Sequence, residues 1–372
     1  MTHQKHTKLA KPAGGQWGRT ELAILGAPCG EIKKLVAEIT QSLANAWEIA
    51  YVDADHNAPK SEQWNALHHG AIEQLTNKIS HYEILQASGK PHFFNDADLV
   101  LVNGNHFKAA SQIAWVHPDK SLAKKLTKLS NVELIILEDK VAEIPSFLAD
   151  YLGAKVIPIL KRSETEAIIN FIKSKLEVNI PVLNGLVLIG GQSTRMNKDK
   201  SQLIYHDGIP QYEYMAGILD GLCENVYISV RDEEQAKKHE RPTITDKFVG
   251  LGPYGGILSA LQYNPNAAWM VVAVDLPYLD ETTLGQLKAK RNIHKMATCF
   301  IDPKNEFPEP LITIWEPRAY PVLLNFLAKG YSCPRKALIN SAVEIIYDRD
   351  VKSMTNVNTP EEYELMNQQA HD

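Results

Sequence analysis

Residues 184–203 read Asn-Gly-Leu-Val-Leu-Ile-Gly-Gly-Gln-Ser-Thr-Arg-Met-Asn-Lys-Asp-Lys-Ser-Gln-Leu. The apolar run 186–189 has the length and composition of a buried parallel strand. It stops at Gly190-Gly191, where the backbone can adopt a positive φ and let a ligand approach closely. Because a glycine turn followed by cations such as Arg195 and Lys200 forms a cradle for phosphate, the stretch predicts a phosphate site at a strand end. The alternative is an ordinary strand-to-turn junction with solvated basic side chains.

The composition of the whole chain is typical of a soluble globular protein. The chain has 372 residues, of which 44% are hydrophobic and 22% are charged. This length is too great for one ordinary core and predicts two domains. The formal net charge of −5 argues against a nucleic-acid partner, so any phosphate site must be local. No apolar run approaches the ~20 residues of a membrane span, so we expect no membrane partner.

The cysteines and the first residues predict a cytoplasmic protein. Cys29, Cys223, Cys299 and Cys333 are far apart and form no Cys-x-x-Cys pair. This usage indicates reduced thiols. Residues 1–19 are polar and glycine-rich, without the apolar core of a signal peptide, and are predicted to be a loose N-terminal tail.

The pattern along the chain predicts an α/β fold with two domains. Residues 20–176 alternate short apolar runs with helical patterns, as a smaller α/β domain does, and their last helix is expected to be capped by Ser163. Residues 177–183 leave that helix and reach Pro181, which cannot continue it, so this segment is the predicted linker. Residues 184–372 predict a doubly wound, Rossmann-like sheet, which binds ligands at the carboxyl ends of its strands.

The individual elements are assigned from their periodicity. In the first domain the predicted strands are 21–25, 50–52, 99–102 and 134–137. The predicted helices are 31–43 and a second one that begins after its cap Ser163 and ends at 176. In the second domain the predicted strands are 186–189, 225–230, 269–274, 297–301 and 311–314. The predicted helices there are 209–223, 255–263, 282–290, 317–329, 333–340 and 360–368.

The first predicted strand and helix are joined by Gly26-Ala-Pro-Cys-Gly-Glu-Ile-Lys33, at the position of a phosphate-binding P-loop. A working P-loop carries Gly-Lys-Ser/Thr to hold phosphates and magnesium. Here Glu31 and Ile32 follow the second glycine, and a carboxylate at that position would repel phosphate. The residues therefore predict a degenerate P-loop. The alternative is an unrelated α/β domain used for dimerisation or docking.

Two further stretches of the second domain carry candidate site residues. Asp246 precedes the glycine-rich turn Gly250-Leu-Gly-Pro-Tyr-Gly-Gly256, where Gly252 and its neighbours can let the backbone face a flat group such as a base. A turn that serves tight packing is the alternative. Asp275 ends a buried strand and is placed to bind magnesium together with substrate phosphates. Capping of the next turn is the alternative interpretation of that aspartate.

These motifs carry a family resemblance. The opening stretch resembles the signature Leu-Ala-Gly-Gly-x-Ser-x-Arg-Met-Gly-x-Asp-Lys of molybdenum cofactor guanylyltransferases and related nucleotidyltransferases. Ile189 departs from the usual Ala and Asn197 from the usual Gly, although Asn tolerates the left-handed conformation. Three further motifs also resemble motifs of this family. They are the residues around Asp246, the residues around Asp275, and Asn356-Val-Asn-Thr-Pro-Glu-Glu near the end of the chain. The matching signature residues are Leu188, Gly190, Gly191, Ser193, Arg195, Met196, Asp199 and Lys200.

The resemblance implies a magnesium-dependent enzyme that transfers GMP from GTP to molybdopterin and releases pyrophosphate. It implies GTP and molybdopterin as substrates and molybdoenzyme maturation proteins as further partners. It also implies roles for individual residues: Arg195 and Lys200 in catalysis; Leu188, Ile189, Gly190, Gly191, Ser193, Lys200, Asp246, Gly252 and Asp275 in nucleotide binding; Asp275 and Asn358 as ligands of Mg²⁺; and Arg335 and Lys336 in acceptor binding.

Several alternatives stay open on the sequence. Arg231 stands where many guanylyltransferases keep an Asn beside the base, which leaves room for another nucleotide such as CTP or another phosphorylated acceptor. A non-catalytic protein that binds nucleotide or cofactor is a second alternative. The first domain resembles the P-loop domain of the molybdopterin-guanine dinucleotide adaptor proteins, so a docking module is a third.

Overall fold

The computed structural model describes residues 17–54, 94–189, 203–206, 208–302, 305–347, 352–357 and 362, and two short strands at 74–75 and 79–81. The chain divides into two compact units. The first unit is Arg19–Ile180, and the second contains the chain from Pro181 onward. Each unit is built around its own β-sheet with helices, which confirms the predicted α/β class.

The first unit contains a largely parallel sheet. The strand order is β3-β4-β2-β5-β1-β6-β7-β8, and every neighbouring pair is parallel except β3 and β4. The strands are β1 Thr20–Leu25, β2 Ile49–Val52, β3 Gln74–Leu75, β4 Ile79–His81, β5 Leu99–Asn103, β6 Ser111–Val116, β7 Val132–Leu137 and β8 Ile159–Lys161.

The helices of the first unit are α1 Cys29–Leu43, the 3-10 helix Ala123–Lys128, α2 Ser146–Leu152 and α3 Thr165–Val178. Helix α1 buries Ile32, Leu35 and Ile39 against the sheet, as its apolar spacing predicts. The predicted cap of α3 is wrong. Its N-cap residue is Glu164, which makes no side-chain cap bond. The Glu164 carboxylate accepts from the Lys161 N–H, and the Ser163 N–H donates to Asp139 Oδ1 at 3.0 Å.

The sheet of the second unit is mixed. Its order is β13-β12-β9-β14-β16-β15-β17, and β16 runs antiparallel to both of its neighbours. The chain passes from Ile301 to Pro308 between β15 and β16, which is too short for the crossover that a parallel pair needs. The strands are β9 Leu183–Leu188, β12 Val226–Val230, β13 Thr243–Thr245, β14 Ala268–Ala273, β15 Ala297–Ile301, β16 Pro308–Trp315 and β17 Glu344–Ile346, and a separate pair is formed by β10 Ile204–His206 and β11 Ile209–Pro210.

Both faces of this second sheet are buried. Val187 of β9 packs in one apolar core, whereas Leu186 and Leu188 pack in the core on the other face, because successive strand residues point to opposite faces. A strand buried on both faces is a continuous apolar run, which is why β9 was predictable. The helices are α4 Gln211–Asp220, α5 Glu233–Ala236, α6 Pro253–Tyr263, α7 Glu281–Ala289, α8 Ala319–Ala328 and α9 Pro334–Ile339.

No helix among the described residues is both long enough and apolar enough to cross a membrane.

Candidate functional site

The carboxyl end of β9 is a point where the chain changes direction across the sheet. After β9 the chain places β12 on one side, and it later returns to place β14 on the other. Leu188 of β9 pairs with Ser229 of β12 and with Ala273 of β14. All three strands are parallel, so they end at the same edge. Such a switch point is where α/β sheets of this kind bind their ligands.

Asp275 lies at this edge, two residues beyond the end of β14. The side chain is half-buried, and its Oδ1 atom is shielded from solvent. The backbone N–H of Val357 donates to the Asp275 carbonyl oxygen at 2.9 Å. The C-terminal string predicted to supply Asn358 is therefore anchored beside Asp275, although Asn358 itself lies outside the described residues.

The glycine- and cation-rich stretch is anchored at the same edge from both described ends. On one side, Ile189 directly follows β9, whose Leu188 pairs with Ala273. On the other side, the Leu203 carbonyl accepts the N–H of Gln211 at 2.9 Å. The buried Gln211 side chain in turn donates to the carbonyl of Leu276, the residue after Asp275, at 3.4 Å. No feature of the sequence distinguishes Gln211 as the residue that makes this connection.

The predicted residues between those anchors lie outside the described part of the chain. Their placement relative to Asp275 stays a prediction. They are Gly190, Gly191, Ser193, Arg195 and Lys200.

The glycine-rich stretch 250–256, which includes the turn before α6 and the first residues of α6, contains two kinds of glycine. Gly250 and Gly252 have positive φ angles of 81° and 56°, and a Cβ added to either would meet no atom within 4 Å. Gly255 lies against protein atoms instead, because a Cβ there would be 2.4 Å from the carbonyl oxygen of Phe248. A Cβ on Gly256 would be 2.7 Å from Ser229 Oγ. The tight-packing interpretation therefore holds for Gly255 and Gly256. The prediction that the backbone faces a ligand still applies to Gly252.

Asp246 is a carboxylate in a poorly solvated place. It follows β13, and its N–H donates to the Val230 carbonyl at 2.9 Å. Its Oδ1 atom is buried, with no hydrogen-bond partner among the described residues. Burial raises the pKa of Asp246 to about 6, and the nearby Ser259 hydroxyl partly opposes this rise. At pH 7 this carboxyl group is therefore still mostly ionised and accepts hydrogen bonds from a ligand, whereas below about pH 6 it is mostly protonated and can also donate.

The predicted acceptor residues have different surroundings. Arg335 NH2 donates to Glu309 Oε2 at 2.8 Å and to Asp302 Oδ2 at 3.2 Å. Its positive charge is thus balanced by two carboxylates that are distant in sequence. Lys336 instead places its ammonium group 5.7 Å from the ring centre of Tyr331.

Arg231, which departs from the family pattern, lies at the surface beyond the end of β12. Its side chain is 65% exposed. The Nε atom donates to Asp232 Oδ2 at 2.9 Å. The guanidinium is thus paired with the adjacent residue in the chain.

Comparison with known proteins finds relatives of the second unit. Residues 185–344 match the family model of the MobA-like NTP transferase domain. The molybdenum cofactor biosynthesis bifunctional protein of Synechocystis sp. is 35% identical over 195 residues, 52% of this chain and 56% of that protein. The chain thus spans little more than half the length of that relative. The probable molybdenum cofactor guanylyltransferase of Natronomonas pharaonis is 26% identical over 193 residues, 48% of this chain and 94% of that protein.

A solved structure also matches. The molybdopterin-guanine dinucleotide biosynthesis protein A from Archaeoglobus fulgidus is 24% identical, with a TM-score of 0.43. The match covers 50% of this chain and 98% of that one.

Replacing Gly255 by alanine tests the packing of α6. The new Cβ would collide with a backbone oxygen, and overpacking of this kind typically costs about 1–3 kcal/mol in the free energy of unfolding, which urea denaturation measures. The matched control is Gly217→Ala, since Gly217 lies within α4 with no atom near its Cβ position. That control should be neutral or gain up to ~1 kcal/mol. Equal stability of the two variants would show that α6 is not packed this closely.

Asp246→Asn should stabilise the protein more at neutral pH than in acid. The pKa is about 6 in the folded protein against an ordinary 3.8, so the wild type loses stability as the pH rises between these values. Asparagine removes that loss. The gain in Tm over wild type should thus be larger at pH 7.5 than at pH 4.

Asp232→Asn is the matched control for this pH dependence. The Gln235 backbone N–H and Arg231 lower the pKa of Asp232, so its substitution should lower Tm at neutral pH. A gain for Asp246→Asn that is the same at both pH values would contradict the burial of its carboxylate.

Proposed function

We propose that this protein, which carries a MobA-like NTP transferase domain at residues 185–344, transfers GMP from GTP to the phosphate of molybdopterin and releases pyrophosphate. The observation that carries the proposal is the shared edge of the second sheet. Asp275 lies there, and the described residues on both sides of the glycine- and cation-rich stretch are tied to the same place. The names of the relatives support the choice of donor and acceptor.

The proposed reaction is an in-line displacement at the α-phosphorus of the nucleotide. An oxygen of the acceptor phosphate forms the new P–O bond. The bond to the β-phosphate breaks, and pyrophosphate leaves with its electron pair. A phosphate monoester is already ionised near neutral pH, so no general base is required. The protein contributes mainly position and positive charge.

The proposed roles follow from the position of each residue in the chain. Arg195 and Lys200 would offset the charge that develops on the equatorial and leaving oxygens. Gly190 and Gly191 would let backbone N–H groups face the phosphates. Asp246 and Gly252 would line the nucleotide pocket, where a carboxyl group with a raised pKa can hydrogen-bond a base edge.

The residues present fit a magnesium ion. Asp275 is a half-buried carboxylate at a strand end, and the chain just before Asn358 is bonded to it through Val357. Carboxylate and amide oxygens are the ligands that Mg²⁺ takes, together with water and substrate phosphates. When bound, the ion would neutralise phosphate charge. Asp275 and Asn358 would hold it.

Arg231 supports a second candidate, in which the base is not guanine. This position lacks the Asn that many guanylyltransferases place beside the base, and the Arg231 side chain pairs with Asp232 at the surface. The nucleotide of this second candidate is one other than GTP, such as CTP. The two candidates differ only in the nucleotide that the enzyme consumes.

Transfer activity of the purified full chain tests the proposal. With GTP, Mg²⁺ and molybdopterin, the wild type should form the dinucleotide and pyrophosphate. Lys200→Ala should lower the rate by about 10²–10³-fold, as loss of one oxyanion-type donor does. Asp275→Ala should remove the magnesium-dependent turnover. Glu281→Gln is the matched control, because this exposed carboxylate lies in the same unit at the start of α7.

The same assay with CTP, ATP and UTP separates the candidates. A preference for CTP over GTP would replace guanylyl transfer by the second candidate. Binding of nucleotide with no transfer to any acceptor would identify a non-catalytic binding protein. Near wild-type transfer by Asp275→Ala or Lys200→Ala would show that the site is misplaced.

A further inference from the structure

Three lysines of the first unit meet around one buried asparagine. Lys125 Nζ donates to Asn105 Oδ1, and Lys128 Nζ donates to the Asn105 carbonyl at 2.7 Å. Lys120 Nζ lies 3.9 Å from the Sγ atom of Cys29, which is itself 3.7 Å from Asn105 Nδ2. We name Lys120, Lys125 and Lys128 the lysine cluster. All three side chains are half-buried, whereas Asn105 is only 6% exposed.

The lysine cluster lies at a switch point of the first sheet. Strand β1 has β5 on one side and β6 on the other, and all three are parallel. Asn105 follows β5, and the loop after β1 is bonded to it: the Gly26 N–H donates to Asn105 Oδ1 at 3.3 Å, and Asn105 Nδ2 donates to the Ala27 carbonyl at 2.9 Å. Lys120 follows β6. The three carboxyl ends thus converge where α/β sheets bind ligands.

No described carboxylate lies within salt-bridge distance of the lysine cluster. Burial and the neighbouring charges of Lys120 and Lys128 lower the pKa of Lys125 to about 8. Like charges held together in a half-buried place repel one another, and the arrangement is costly without a counter-charge. The start of α1 at Cys29 adds the partial positive charge of a helix N-terminus to the same place.

The acidic groups of the surrounding elements have other partners. Glu31, predicted to repel phosphate, pairs with Lys34 at 2.8 Å on the exposed side of α1. Glu138 accepts from Trp115 Nε1 at 3.1 Å. Asp53 accepts hydrogen bonds from Tyr51 and Asn103. In the part of the chain that the structure describes, none of these three carboxylates offsets the positive charge of the lysine cluster.

We propose that the lysine cluster binds a small phosphorylated anion, in a site that recruits its cations from the segment after β6 instead of from the degenerate P-loop. Two of the three ammonium groups contact Asn105 and the third contacts the neighbouring Cys29, so they lie together and are not spread along a surface. This arrangement fits a compact anion such as phosphate or pyrophosphate and not a nucleic-acid backbone. The site is built entirely by the first unit and does not depend on the transferase reaction.

Alkylation of Cys29 gives a local measure of this binding. Its Sγ atom lies beside Lys120, so a bound anion covers the thiol. The full chain is treated with uncharged iodoacetamide, and modification of the Cys29 peptide is followed by mass spectrometry. Pyrophosphate at ten times its dissociation constant should slow the reaction about tenfold, because only about a tenth of the sites stay free.

Variants identify the site that gives this protection. Lys125→Gln/Lys128→Gln should abolish it. Lys124→Gln should keep it, since Lys124 is an exposed neighbour on the same 3-10 helix. Asp275→Ala should also keep it, which separates this site from the transferase site. Lys120→Gln is the second variant if the double variant does not fold, as judged by circular dichroism.

Each outcome has a defined meaning. Protection by phosphate and pyrophosphate alike supports a site for one phosphoryl group, and protection by pyrophosphate alone supports a site for a diphosphate. Equal alkylation rates with and without both anions would overturn the proposal. Equal protection by chloride at matched ionic strength, or by pyrophosphate in the lysine variants, would overturn it as well.

Discussion

The common register of β12, β9 and β14 is the constraint on which the second unit depends. Leu188 pairs with Ser229 on one side and Ala273 on the other, so the segments after these strands leave from one edge. A slip of one residue would exchange the side chains of β9 between the two apolar cores and put Leu186 in the place of Gly185, where even a Cβ would lie 3.0 Å from Leu219. The packing of Val187 and its neighbours therefore fixes the position of Asp275 relative to the end of β9.

The same packing explains why the candidate site holds a carboxyl group that lowers the stability of the folded protein. Gly255 and Gly256 let α6 lie against Phe248 and Ser229, and this close approach desolvates Asp246. A carboxylate with a buried oxygen lowers the stability of the folded protein at neutral pH. Binding a ligand that hydrogen-bonds this oxygen would offset that cost. The first unit shows the corresponding feature with opposite charge, in the lysine cluster around Asn105.

The sequence was informative where burial produces a local pattern. Strand β15 was predicted at its observed bounds, Ala297–Ile301, because it is a short apolar run. Strands β6 and β17 were missed, since Ser111-Gln112 and Glu344 interrupt the apolar pattern. The direction of β16 follows from the short connection after β15, but its place between β14 and β15 depends on pairing, which no local pattern encodes. Likewise, the carboxylates that engage Arg335 and the meeting of three lysines at Asn105 arise only from tertiary contacts.

The central claim is that Asp275 and Lys200 share one bound triphosphate. A double-mutant cycle measures this directly, with the affinity for Mg²⁺ and GTP determined by calorimetry for Asp275→Asn, Lys200→Ala and the double variant. Residues that act on one ligand should deviate from additivity by about 1 kcal/mol or more. Effects that add to within about 0.5 kcal/mol, as they do for distant independent sites, would contradict the account.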